Sequence, residues 1–176
     1  MRIYLDHNAT TPIHPQVANT MAEVLREHFG NASSVHTFGQ TAKAYIDEAR
    51  TSLAKLLDAR PQEIVFTSGG TESNNLAIRG IAESLTSTNR RHIITSGIEH
   101  EAILNTCKFL GKQGWKISIL PIDRSGVIDP NSLETTITDD TAMVSIMHAN
   151  NEIGTIQPIN KLATITHSVG AVFHTD

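Results

Sequence analysis

IVFTSGGTESNN, residues 64–75, is the stretch on which the fold reading rests. A β-branched run, Ile64, Val65, Phe66 and Thr67, breaks at Gly69 and Gly70, and Leu76, Ala77, Ile81, Ala82 and Leu85 then recur at helical spacing. The pattern predicts a strand over 64–67, a tight turn, and a helix from about 72 to 85. At such a junction the free N–H groups and positive dipole end of the helix meet at Gly70 and Thr71. The hydroxyls of Ser68, Thr71 and Ser73 stand nearby, a setting suited to a phosphate dianion. A plain strand-to-helix turn accounts for the same letters. Neither a P-loop lysine nor a third dinucleotide-motif glycine is present.

Upstream, residues 3–5 are extended and run into the polar turn DHNATTP, residues 6–12. Pro15 opens a helix that Gly30 stops, and the loop GNASSVHTFG follows. Ala42, Tyr45, Ile46, Ala49, Leu53, Leu56 and Leu57 predict a long amphipathic helix ending before Pro61, one that packs on a sheet or on a partner. Downstream the pattern alternates. Strands are expected over 92–95, 116–120, 142–147 and 171–173, with helices from about 100–112, 130–137 and 158–168 between them. This is an α/β chain, a mainly parallel sheet sandwiched by helices, in which one antiparallel strand could hide.

Composition excludes several classes. With a net charge of -4, 39% hydrophobic residues and a mean hydropathy of -0.15, the chain has no basic patch for nucleic acid. A single cysteine rules out an internal disulfide framework, and no His or Cys pair has metal-ligand spacing. The N-terminus lacks an apolar leader core and nothing approaches a membrane span, so the expected location is cytoplasmic.

In open parallel sheets, ligands bind beyond the carboxyl ends of the strands. The residues there are Gly69, Gly70 and Thr71; Glu99 and His100; His148 to Glu152; and Asp176. A phosphate anchor, an imidazole, carboxamides and a carboxylate meet the needs of pyridoxal 5'-phosphate, whose ring nitrogen a carboxylate would keep protonated. Histidines 148 and 174 read as satisfied strand-end residues rather than metal ligands. The role of Glu99 stays open. Trp115 reads as buried, and Cys107 as core packing beside Ile103, Leu104 and Leu110 rather than a nucleophile.

Six motifs, YLDHNATTP, GNASSVHTFG, FTSGGTESNNLAIRG, TSGIEHEAILNTC, VSIMHANNEIGTIQP and FHTD, occur in the order of one known family. The chain resembles the class V, fold type I pyridoxal phosphate enzymes, and among them the cysteine desulfurases. The resemblance implies that Gly70 and Thr71 bind phosphate and that His100 stacks on the ring and assists proton transfer. It also implies that Asn151 bonds the phenolic oxygen near the substrate, that Asp176 pairs with the ring nitrogen, and that Asn8 and Thr10 lie near the substrate entrance. A homodimer is implied as well, with L-cysteine as substrate, an enzyme persulfide and alanine as products, and a sulfur acceptor or iron–sulfur scaffold as partner. The family's cofactor-bonding lysine and sulfur-accepting cysteine fall beyond residue 176, and lysines 43, 55, 108, 112, 116 and 161 offer no substitute. The chain is therefore expected to be an N-terminal portion, inactive alone, with a first segment over 1–30 and an incomplete cofactor-binding domain over 31–176. A selenocysteine lyase, a class V aminotransferase, or a non-catalytic product that dimerises or binds a partner are the alternative readings.

Overall fold

The structure, a computed structural model, describes residues 2–176 and divides into two compact units, 1–66 and 67–176. The first unit carries helix α1 (Pro15–Glu27), helix α2 (Thr37–Leu56) and a 3₁₀ turn at Pro61–Glu63. Pro15 sits at the first turn of α1, where its missing N–H costs nothing. Two glycines tighten the loop between the helices: a Cβ on Gly39 would lie 2.3 Å from the Ser34 carbonyl oxygen, and one on Gly30 2.3 Å from that of Phe38. The amphipathic stripe of α2 is as expected, but it does not form a core within this unit. Tyr45, Ile46, Leu53, Leu56 and Leu57 are all exposed, and only Gly39 and Ala54 of the helix are buried.

The second unit begins just before helix α3 (Gly70–Ser84) and continues with β1 (His92–Ser96), α4 (Glu101–Lys112), β2 (Lys116–Leu120), α5 (Pro130–Thr136), β3 (Thr141–Ser145), α6 (Ile159–Ser168) and β4 (Val172–His174). The four strands form one sheet in the order β2-β1-β3-β4, and every pairing is parallel. Among the described residues antiparallel contact is limited to two isolated bridges, Ile122 with Ile128 and Ala149 with Ile156. Four of the five expected strands thus form. The fifth, over 64–67, joins no ladder among the described residues, and Val65 and Phe66 are exposed. A β-branched run becomes a strand only where another backbone lines up beside it, and sequence pattern carries no information about that neighbour.

Parallel crossovers are right-handed, so a chain that leaves β1 in one direction and β3 in the other must place its helices on opposite faces. It does so. Ile93 and Met143 face a core with Ile78 and Ala82 of α3 and Ile103, Cys107 and Leu110 of α4, closed by Trp115. Ile94 and Val144 face the other core, with Leu133 of α5 and Leu162 of α6. The central strands β1 and β3 are buried at every position, whereas β2 and β4 are partly exposed. The direction of chain travel reverses between β1 and β3, and the crevice at their carboxyl ends is where such sheets bind ligands.

Candidate functional site

Two cavities meet at His100. One, of about 420 Å³, runs along α3 and α4 and is lined by Thr71, Asn75, Arg79, His100, Asn105 and Phe109, among others. The other, of about 500 Å³, lies at the switch point between the segment 97–101 after β1 and the segment 150–153 after β3. Thr71 therefore shares a hollow with His100, and His100 shares a second with Asn151. Neither is lined by a lysine.

His100 is the N-cap of α4. Its Nδ1 accepts the backbone N–H of Ala102 at 3.1 Å, so the neutral ring carries its proton on Nε2. The ring is exposed, fixed at one nitrogen and open at the other.

The N-terminus of α3 has an extended N-cap, Gly69, with no side-chain cap. A Cβ at Gly69 or Gly70 would meet nothing within 4 Å, so the space in front of this turn is open. Two of the three hydroxyls expected there are already engaged. Ser68 donates from Oγ (2.6 Å) and from N–H (2.7 Å) to Glu72 Oε2, which holds that carboxyl below its usual range. Ser73 Oγ pairs with Thr67 Oγ1 at 2.6 Å. Thr71 lines the cavity, and the first-turn N–H groups have no intrahelical acceptor. The helix is joined to α4 by Thr106 Oγ1 donating to Asn75 Oδ1 at 3.1 Å, while Asn75 Nδ2 reaches the Thr71 carbonyl at 2.9 Å.

Asp176 follows β4 and is tied to β3 through His148 N–H donating to its carbonyl at 3.1 Å. That bond sets Asp176 beside the segment that follows β3, and burial first, with the Asp176 charge a lesser cause, raises the carboxyl of Glu99. His174 is satisfied as expected, its Nδ1 2.9 Å from Ser145 Oγ. Burial lowers its pKa and Asp176 opposes that. Among the described residues no group of three His, Cys, Asp or Glu side chains could hold a metal ion. Cys107 is buried in the α3–α4 core, and burial, aided by the Glu99 charge, pushes its thiol up to about 11, which leaves it protonated and inert. Asn8 and Thr10 lie in the turn of the first unit, where the Thr10 N–H donates to the Asp6 carbonyl at 3.3 Å. Among the described residues no helix is long and apolar enough to cross a membrane.

The sequence reading left two rim residues unassigned. Glu99 is buried and bonded to both central strands' ends, and Asn150 is buried and bonds across to the Ile98 carbonyl at 2.9 Å. Their signal was weak: one carboxylate and one amide in polar loops, where a solvated side chain is the ordinary case.

The aminotransferase class-V family model matches residues 3–176. The cysteine desulfurase IscS of Dictyoglomus turgidum is 52% identical over 174 residues, covering 99% of this chain and 44% of that relative. The same-named protein of Methanosarcina thermophila is 48% identical, with 99% and 43% covered. Among solved structures, a NifS-like protein superposes with a TM-score of 0.96 at 41% identity, over 100% of this chain and 49% of that one. SspA in complex with cysteine gives 0.93 at 40% identity, over 98% and 50%. The chain spans less than half the length of these curated relatives. Its sequence over nearly its whole extent, and its parallel α/β fold, place it in the aminotransferase class-V family.

Proposed function

We propose that this chain forms the cofactor bed of a pyridoxal phosphate-dependent cysteine desulfurase, with residues 31–176 belonging to the cofactor-binding domain. The observation that carries the reading is the convergence of Thr71 and Asn151 on the two cavities that meet at His100. The residues fit the group. The uncapped α3 N-terminus with open space before Gly69 and Gly70 suits a phosphate, and the carboxylate of Asp176 suits a protonated ring nitrogen. When bound, the cofactor supplies an electron sink for a carbanion at the α-carbon of an amino acid.

The chain's own residues would do the rest. Gly70 and Thr71 hold the phosphate through backbone N–H groups and a hydroxyl. His100 lies on the ring as the catalytic residue, its Nε2 free to carry or take a proton while Ala102 fixes Nδ1. The Asn151 carboxamide donates to the phenolic oxygen, and Asp176 accepts from the ring nitrogen. Asn8 and Thr10 are assigned to the substrate entrance. The substrate is L-cysteine, its sulfur passing to a cysteine thiolate and from there to an acceptor or iron–sulfur scaffold protein. The reading also includes a homodimer and a cytoplasmic location. The family resemblance puts the cofactor-bonding lysine and the sulfur-accepting cysteine beyond residue 176.

The test is an assay of the intact polypeptide that carries this sequence, given pyridoxal 5'-phosphate, L-cysteine and a thiol reductant. Alanine and sulfide in equal amounts are expected. Cofactor binding without sulfide release would refute the desulfurase assignment and turn attention to transamination or selenocysteine cleavage.

A further inference from the structure

Glu99 is 5% exposed, and among the described residues no cation forms an ion pair with it. Burying a carboxylate in such a place is unfavourable unless its oxygens are satisfied. They are satisfied by the ends of the two central strands. Ser96, the last residue of β1, donates from Oγ to Oε1 at 2.6 Å, and the N–H of Met147, just past β3, lies 3.0 Å from both Oε1 and Oε2. The β1–β3 ladder stops at Thr95 and Ser145, after which the two chains diverge into the crevice. The carboxylate continues the join beyond the ladder. Asn150 adds a second tie, with Nδ2 donating to the Ile98 carbonyl at 2.9 Å and Oδ1 accepting from Glu152 and Ile153 at 2.9 Å.

These ties link the loop that presents His100 to the loop that presents Asn151. We propose that Glu99 is the positioning residue of the rim, its carboxylate setting the spacing and orientation of those two loops. An apolar side chain of equal length would fill the space but leave the Ser96 hydroxyl and the Met147 N–H without an acceptor. The proposal goes beyond the cofactor assignment, because the tie holds the rim whatever ligand enters it.

The experiment uses the ligand-free polypeptide, with amide hydrogen exchange at Met147 and NMR of the His100 ring as readouts. Glu99→Met should speed Met147 exchange by ~10-fold or more relative to amides of α5 and α6, and shift the His100 ring resonances. Glu99→Gln, whose carbonyl can accept from both donors, should stay within ~3-fold of the parent and keep the ring signals. Parent-like exchange and ring signals in Glu99→Met would overturn the proposal, as would a Glu99→Gln rim as loose as that of Glu99→Met. Should Glu99→Met fail to fold, Glu99→Gln decides by the same two readouts, retention supporting the proposal and loss refuting it. A parallel titration with pyridoxal 5'-phosphate separates the two claims. Failure of the parent to bind it counts against the proposed function and leaves the exchange result standing.

Discussion

His100 and Ala102 are joined by a hydrogen bond of 3.1 Å from a backbone N–H to the imidazole Nδ1, so one side chain both caps α4 and presents a ring to two cavities. The two duties are separable. His100→Ala should lower stability by about 1 kcal/mol, the usual cost of a lost N-cap. His100→Asn should restore that stability, because its oxygen can cap, but not the affinity for pyridoxal 5'-phosphate. Urea denaturation and a cofactor titration on the two variants check this.

Thr71 should behave in the opposite way. It is exposed and lines the cavity. Thr71→Val is expected to leave the urea midpoint unchanged and weaken pyridoxal 5'-phosphate binding by ~10-fold, the worth of roughly one hydrogen bond to a charged group. Isothermal titration measures it.

At the amino end of the sheet, His92 is fully buried, its Nδ1 3.0 Å from Thr141 Oγ1 and its Nε2 2.8 Å from Ser118 Oγ. Burial first, and the Lys116 charge second, push its pKa down, with Asp140 opposing. The folded state therefore binds fewer protons here than the unfolded state. Its contribution to stability is fully present above the ordinary histidine value of about 6.5 and is lost as the pH falls below it, with a slope of at most about 1.4 kcal/mol per pH unit. His174 acts in the same sense, whereas Glu99, raised by burial, acts in the opposite one. The difference between the parent and His92→Gln isolates the His92 part: the gap in denaturation midpoint should narrow steadily from pH 7 to pH 5.

Arg90 ties the C-terminal end of α6 to the start of β3. Its guanidinium donates to the carbonyls of Val169 at 2.7 Å, Gly170 at 2.9 Å and Thr141 at 3.1 Å. A planar fork with several donors suits two carbonyls at a helix's negative end and a third on the neighbouring strand better than an ammonium does. Arg90→Ala should cost about 2 kcal/mol, and Arg90→Lys should recover less than half of it. Equilibrium denaturation decides.

Much of this architecture was readable in the letters. The central strands announced themselves by short runs of apolar and β-branched residues, Ile93 to Thr95 and Ala142 to Val144, and the edge strand β2, expected over 116–120, has those bounds in the structure. The run 64–67 failed, since a strand also needs a neighbour that no local pattern encodes. At the site no single residue stood out, since a plain strand-to-helix turn explains the glycines and a loop histidine is ordinarily solvated or locally bonded; their placement after successive strands is what pointed to one rim. The side-chain engagement of Ser68 by Glu72 and of Ser73 by Thr67, and the closure of β1 to β3 by Glu99, depend on rotamers and on contacts between distant segments. The first two are local contacts and the third a tertiary one, and spacing alone supplies none of them.

The most direct test of the central claim is a residue-resolved NMR titration of the chain with pyridoxal 5'-phosphate. The account predicts that the amide shifts cluster at residues 70–73, His100, Asn151 and Asp176. Shifts confined to the groove between α5 and α6, or no shifts at millimolar cofactor, would contradict it.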